Sequence, residues 1–179
     1  MNRLVRLAIG LAGLPLAGSI PAADATGAAV CTITGTITFS STAADATQGV
    51  WQIDPAVIEC QGLFNGYDRI VGPGRFSGTG SYTALPGGTG PCLRNIGSGT
   101  VDYTFPTSAS DVHLVERQDY TLAGVGTFAT PSLRGTFQVT PPYEGDCVTK
   151  PITKALFVSQ ATLVRFVPPD PERYNPSGL

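Results

Sequence analysis

The sequence predicts an all-β fold, either an antiparallel β-sandwich or a small β-barrel of about 8–10 short strands. Three observations support this prediction. Apolar and hydroxyl side chains alternate along several segments, as in strands with one buried face and one solvated face. No stretch of a dozen residues shows the apolar period of an amphipathic helix. Clusters drawn from the 22 glycines and 15 prolines separate the alternating segments.

The first 25 residues have the features of a cleaved signal peptide. Two arginines supply positive charge near the start. The apolar stretch that follows spans about a dozen residues, too short for a membrane span of ~20. Small residues ending at Ala25 fit the pattern that precedes cleavage. We therefore expect secretion, a mature chain that begins at Thr26, and a single domain over residues 26–166.

Four cysteines follow the predicted leader: Cys31, Cys60, Cys92 and Cys147. An even number in an exported chain predicts two disulfides, for which three pairings are possible. The spacing of zinc ligands is absent, because no two cysteines are close in sequence and His113 is the one histidine. We expect no metal and no cofactor.

Residues 31–39 form the clearest predicted strand, with Ile33, Ile37 and Phe39 on one face and four threonines on the other. If the turn cluster that follows connects a hairpin, three pairs lie opposite each other: Cys31 and Cys60, Ile33 and Ile58, and Phe39 and Gln52. This register favours a Cys31–Cys60 bond and, by elimination, a Cys92–Cys147 bond. Pro55 must lie at an edge or a bulge, because it cannot donate to the ladder, and it can shift the register by one residue.

Further strands follow in chain order. Regular alternation predicts strands within residues 76–83, 100–105, 136–140 and 155–166, and less regular strands are expected at 50–60, 63–70, 112–117 and 120–130. One shared core should receive Ile33, Ile37, Phe39, Phe76, Tyr82, Val101, Tyr103, Phe105, Phe137, Val139, Val158 and Val164. Many glycines lie inside these strands, where they indicate bulges or close backbone approach, in a barrel or a strongly coiled sandwich.

Residues 167–179 contain four prolines and no apolar period, so we expect an extended, poorly ordered tail. The chain carries 11 basic and 13 acidic residues, and loss of the leader would leave 9 and 12. This mild, dispersed negative charge argues against nucleic acid as a partner. No segment of the mature chain is apolar for long enough to span a membrane as a helix.

The sequence predicts no catalytic site. His113 is the one possible imidazole base, but no serine lies in a nucleophile elbow and the cysteines are expected to be bonded. A glycosidase would need two carboxylates on either side of a cleft, and the candidates are Asp54, Glu59, Asp68, Asp102, Asp111, Glu116, Asp119, Glu144 and Asp146. None has a recognisable sequence context.

A binding surface has two sets of candidates. The Ser and Thr rows of residues 32–38 and 77–83 present regular hydroxyls, although threonine is also simply a good strand former on a solvated face. Four aromatic residues follow turns or lie in loops: Trp51, Tyr67, Tyr143 and Tyr174. Trp51 is expected more often in a core than on a surface.

Three segments carry a resemblance to known proteins: CTITGTITFS at 31–40, FSGTGS at 76–81 and DCVTKPITKALF at 146–157. The chain resembles a loose group of small secreted actinobacterial proteins with Thr/Gly-rich strands and spaced cysteines. The group is uncharacterised, so the resemblance implies a secreted β fold and no particular activity.

Two functional hypotheses follow. The first is a secreted, non-enzymatic β domain that binds an extracellular ligand or protein or has a structural role at the cell surface. The alternative is a small extracellular hydrolase that acts on polysaccharide through two carboxylates. A cleft flanked by two carboxyl groups would favour the hydrolase.

Overall fold

The structure is a computed structural model, and it describes residues 28–41, 47–86, 94–146 and 150–164. The predicted signal peptide and the tail at 167–179 lie outside the described residues. The strands are β1 (Ala29–Ser41), β2 (Gln48–Gln61), β3 (Leu63–Phe64), β4 (Asp68–Arg69), β5 (Gly74–Ala84), β6 (Arg94–Pro106), β7 (Asp111–Ala123), β8 (Val125–Ala129), β9 (Leu133–Glu144) and β10 (Lys154–Leu163). The described residues include no helix with the length and apolar character needed to cross a membrane.

Eight of these strands form one closed antiparallel barrel, in the order β1-β10-β9-β8-β7-β6-β5-β2, and β2 pairs with β1 to close it. The all-β prediction is confirmed, and the open choice between sandwich and barrel is settled as a barrel. Closure pairs the backbone N–H and C=O groups that the two edge strands of an open sheet would leave exposed.

The predicted register of the first hairpin is confirmed near the cysteines and shifts at Pro55. Cys31 pairs with Cys60, and their sulfur atoms form a disulfide. The register changes by one residue between Thr34 and Ile37, opposite the segment that contains Pro55. Phe39 consequently pairs with Trp51, and the expected pairing with Gln52 is wrong. The bulge adds one residue to β2 and so inverts the alternation of its side chains at that point. The apolar side chains on both sides of the bulge therefore point into the barrel.

The Cys31–Cys60 bond marks one end of the barrel, which we call the disulfide end. Residues 63–70, predicted as one strand, instead form the short hairpin of β3 and β4 at this end. The ring of Phe64 packs edge-on against Phe105 with the ring centroids 5.4 Å apart. The chain is held to the end of β6 by the Val71 N–H, which donates to the Pro106 carbonyl at 3.1 Å.

Alternation assigns the faces correctly on most strands. Nine of the predicted core side chains are buried: Ile33, Ile37, Phe39, Phe76, Tyr82, Val101, Tyr103, Phe105 and Phe137. Val139 is half-buried and packs against this core. Thr32 and Thr34 are exposed on the outer face of β1, as predicted.

The prediction for the last strand is wrong in its choice of face. Val158 and Val164 are only half-buried, and the residues of β10 that point inward are Ala155, Phe157, Ser159, Ala161 and Leu163. Side-chain sizes are complementary at two of these positions, since Phe157 pairs with Gly35 and Ser159 has large cross-strand neighbours. Ser159 lies between Ile33 and Phe137. Whether a side chain fits inside the barrel therefore depends on the volume available to it as well as on its polarity.

The segment from 111 to 129 also departs from its prediction. Residues 112–117 and 120–130 were expected as separate strands, but β7 runs without interruption through Asp119. The turn occurs later, at Gly124, whose φ of +81° lies in the left-handed region that glycine adopts readily. A single glycine between β7 and β8 thus makes the tight reversal.

Candidate functional site

Aromatic side chains fill the barrel interior, where they lie directly on glycine backbone. Trp51 is 2% exposed. A Cβ atom on either Gly80 or Gly99 would lie 2.6 Å from Cζ2 of its indole ring. An interior cavity lined by Trp51, Gln118 and neighbouring apolar residues has a volume of about 20 Å³. Because pockets for small-molecule ligands measure ~300 Å³ or more, this cavity is too small for such a ligand.

Glu116 is the centre of a buried hydrogen-bond network. Its Oε2 atom accepts from the Tyr103 hydroxyl at 2.7 Å, from the Ser132 N–H at 3.2 Å and from the Thr130 hydroxyl. Its Oε1 atom accepts from the Ser132 hydroxyl at 2.6 Å. The carboxylate thereby ties β6 and β7 to the turn between β8 and β9.

The acid–base chemistry of this network favours a structural role. Burial tends to raise the pKa of Glu116, but hydrogen bonds from Ser132, Thr130 and Tyr103 outweigh burial and hold the pKa below its ordinary value. Burial and the adjacent carboxylate raise the pKa of Tyr103. An ionised carboxylate has about four acceptor sites, and the protein supplies that many donors. Glu116 is therefore poorly suited to exchange a proton with a substrate.

A groove of about 600 Å³ lies on the outside of the barrel near the disulfide end. Its lining residues are Val57, Pro73, Gly74, Arg75, Thr104, Phe105, Pro106, Asp111, Val112 and His113, and we call it the outer groove. Four of these form one cross-strand row, since Val57 pairs with Arg75, Arg75 with Thr104, and Thr104 with His113. Side chains in such a row lie about 4.5–5.5 Å apart at Cβ, so they can contact one ligand together.

His113 is held by Asp102, with Nε2 and Oδ1 2.9 Å apart. Both side chains are at least half exposed, at 61% and 50%. When Nε2 carries the proton and donates to Asp102, Nδ1 is left as an acceptor at the groove. The sequence placed both residues among the candidates but did not pair them. The turn at Pro106–Ser110 could have revealed the pair, because it folds β6 and β7 into a hairpin that brings their outward residues together.

The remaining acidic candidates are distributed over the surface. Asp119 pairs with Arg117 at 3.6 Å, and Glu144 pairs with Lys154 at 3.7 Å. Within the described segments, no three or more His, Cys, Asp or Glu residues are grouped so that they could hold a metal ion. Arg75 and Thr104 are the polar groove residues that the sequence did not mark as site candidates. No sequence motif marks them, because only the strand register makes them neighbours.

The aromatic candidates separate into core and surface. Trp51 is a core residue, as its type favoured, whereas Tyr67 is 70% exposed and Tyr143 is 43% exposed. Neither tyrosine lines the outer groove, and Tyr174 lies outside the described residues. Cys92 and Cys147 also lie outside them, so the second predicted disulfide stays a prediction. The described residues nearest to them, Arg94 and Asp146, both lie at the barrel end opposite the Cys31–Cys60 bond.

Among the described residues, the geometry thus offers a small interior cavity, a structural carboxylate, the outer groove and two smaller pockets of about 190 Å³ each. Comparisons with protein families, with curated proteins and with solved structures find no significant match to this chain.

Proposed function

We propose that this protein is a secreted, non-enzymatic binding domain that contacts its ligand through the outer groove. The observation that carries the proposal is the contrast in volume between the two spaces. The interior cavity measures about 20 Å³ and the outer groove about 600 Å³. Among the described residues, a ligand larger than water therefore has room in the outer groove and none in the interior cavity.

The groove's chemistry fits a neutral, hydroxyl-rich ligand such as an extracellular polysaccharide. Arg75 offers donors, Asp111 offers acceptors, and Thr104 offers both. Sugar hydroxyls also donate and accept, so they can pair with all three. Val57 and the two prolines give the groove apolar surface for the C–H faces of a sugar ring. The opposite charges of Arg75 and Asp111 argue against a strongly charged ligand of either sign.

The Cys31–Cys60 bond is consistent with the oxidising compartment that secretion implies. It lies at the same end of the barrel as the groove. The bond links adjacent strands and so supports the scaffold on which Val57 is placed. A binding surface on strands linked by a disulfide is suited to a domain that works in the extracellular medium.

Titration calorimetry with cellohexaose, chitohexaose and laminarihexaose tests this proposal. We expect at least one hexasaccharide to bind, and Arg75→Ala to weaken binding about tenfold or more, since a hydrogen bond to a charged group contributes about 1.5–3 kcal/mol. Arg134→Ala is the matched control, because Arg134 is exposed on β9 and lies outside the groove. Equal losses in the two variants, or no binding of any probe, would contradict a saccharide-binding groove.

The hydrolase alternative would have to use the two carboxylates at or beside the groove. Asp111 lines the groove, and Asp102 contacts the groove residue His113. Their backbone positions are four residues apart along the β6–β7 ladder, or about 13 Å, whereas the two carboxyl groups of a glycosidase lie about 5–9.5 Å apart. Incubation of the same hexasaccharides with the protein, followed by chromatography of the products, distinguishes the hypotheses. Shorter oligosaccharides that disappear with Asp111→Asn would establish the hydrolase, and intact probes would support binding alone.

A further inference from the structure

The interior cavity is lined mostly by apolar side chains, with a few polar residues among them. Trp51 and Gln118 both line it, and they are only 2% and 5% exposed. Trp51 Nε1 is a buried donor with no hydrogen-bond partner among the described residues. An indole N–H without an acceptor is costly in a protein interior, so this donor requires an explanation.

The indole ring cannot turn to reach a protein acceptor. Gly80 and Gly99 hold one edge of the ring at close range, since a Cβ on either would lie 2.6 Å from Cζ2. Tyr120 packs edge-on against the ring, with centroids 6.0 Å apart and an interplanar angle of 79°. The position of the donor is thus fixed by packing, and the acceptor must come to it.

The cavity has the size and the lining for one small acceptor. Its volume of about 20 Å³ exceeds the ~10–15 Å³ that a single water molecule needs. Cavities that stay dry are lined by apolar groups alone, whereas a buried water usually has two to four polar partners. Among the lining residues, Gln118, Asn95, Trp51 and Tyr120 carry polar side-chain groups.

We propose that the barrel binds one structural water molecule in this cavity. The water accepts a hydrogen bond from Trp51 Nε1 and bonds to the side-chain amide of Gln118. It thereby bridges Trp51 on β2 and Gln118 on β7, two strands that are not neighbours in the barrel. This proposal is independent of the function of the outer groove.

Nuclear magnetic resonance tests the proposal directly, because Trp51 is the one tryptophan and gives one indole N–H signal. In the folded, secreted protein we expect a rotating-frame cross-peak between this proton and water. Its sign should be that of dipolar contact between the indole proton and water, and opposite to that of chemical exchange. The absence of such a cross-peak, or one with the sign of exchange, would overturn the proposal.

Two variants make the test specific to the site. Gln118→Leu removes the amide at similar volume and should abolish the cross-peak. Gln138→Leu is the matched control on the exposed face of β9 and should leave it unchanged. A cross-peak that persists in Gln118→Leu would contradict the proposed role of Gln118. Should Gln118→Leu fail to fold, a high-resolution crystal structure of the unaltered protein decides. A water oxygen within about 3.2 Å of both Nε1 and the Gln118 amide supports the site, and its absence refutes it.

Discussion

Replacement of Glu116 by alanine should destabilise the barrel by about 2–6 kcal/mol. The Ser132 N–H cannot rotate, and the Tyr103 hydroxyl is fully buried, so both donors lose their acceptor. Each orphaned buried group costs about 1–3 kcal/mol. The Thr130 hydroxyl has an alternative acceptor in the Leu133 carbonyl at 3.2 Å. The Ser132 hydroxyl is also buried and also loses its acceptor, so the range of about 2–6 kcal/mol is a minimum.

The effect should also depend on pH. The folded carboxyl has a lowered pKa, because its hydrogen bonds outweigh its burial. In the unfolded chain the pKa is about 4.3. Ionised Glu116 therefore contributes its full stabilisation above the unfolded pKa and loses it as pH falls towards the folded pKa. The difference in unfolding free energy between the unaltered protein and Glu116→Ala should be constant from pH 7 to about pH 5 and shrink below about pH 4.

Urea unfolding, followed by the emission of Trp51, measures both quantities. Glu59→Ala is the control, since Glu59 is exposed on β2 and should change the free energy of unfolding by less than about 0.5 kcal/mol. A loss of under about 1 kcal/mol for Glu116→Ala, or a loss that stays the same at pH 3, would refute the structural role of this network.

Three further outcomes are expected. Phe137→Ala should cost about 3–5 kcal/mol of unfolding free energy, because its ring packs against three other rings in the core. Thr36→Ala, on the outer face, should cost under about 1 kcal/mol; similar losses in both would contradict the assignment of faces. Amino-terminal sequencing of secreted protein should begin at or near Thr26, and an intact leader would disprove cleavage. Non-reducing peptide mapping should show a Cys92–Cys147 link, and a free thiol at either residue would exclude it.

Much of the fold follows from local sequence. Strict alternation located β1 and most of the inward side chains, because one residue of slip would expose several of them at once. Pro55 predicted the bulge in β2, since proline has no N–H to donate to the hydrogen-bond ladder. Alternation alone failed on β10, where the outward Leu156 and Val158 are as apolar as the inward residues. The inward face of β10 is set by its pairing with β1 and β9, which depends on the closed barrel.

The sites were much less predictable than the fold. Asp102 and His113 meet because β6 and β7 are adjacent, and Arg75 joins them from β5 only through the register. Glu116 looked like any other carboxylate in the sequence. Its partners Tyr103 and Ser132 are brought to it by folding, and neither follows it at a spacing that a motif could record. Site chemistry in a barrel is assembled across strands, so a single chain segment reveals little of it.

We propose that this barrel binds its ligand on its outer surface and not in its interior. Titration of isotopically labelled protein with the three hexasaccharides, observed by amide chemical shifts, tests this claim most directly. We predict shifts at Arg75, Thr104 and His113, with no change in the indole signal of Trp51. Large shifts of the Trp51 indole and its interior neighbours, without shifts in the groove, would contradict it.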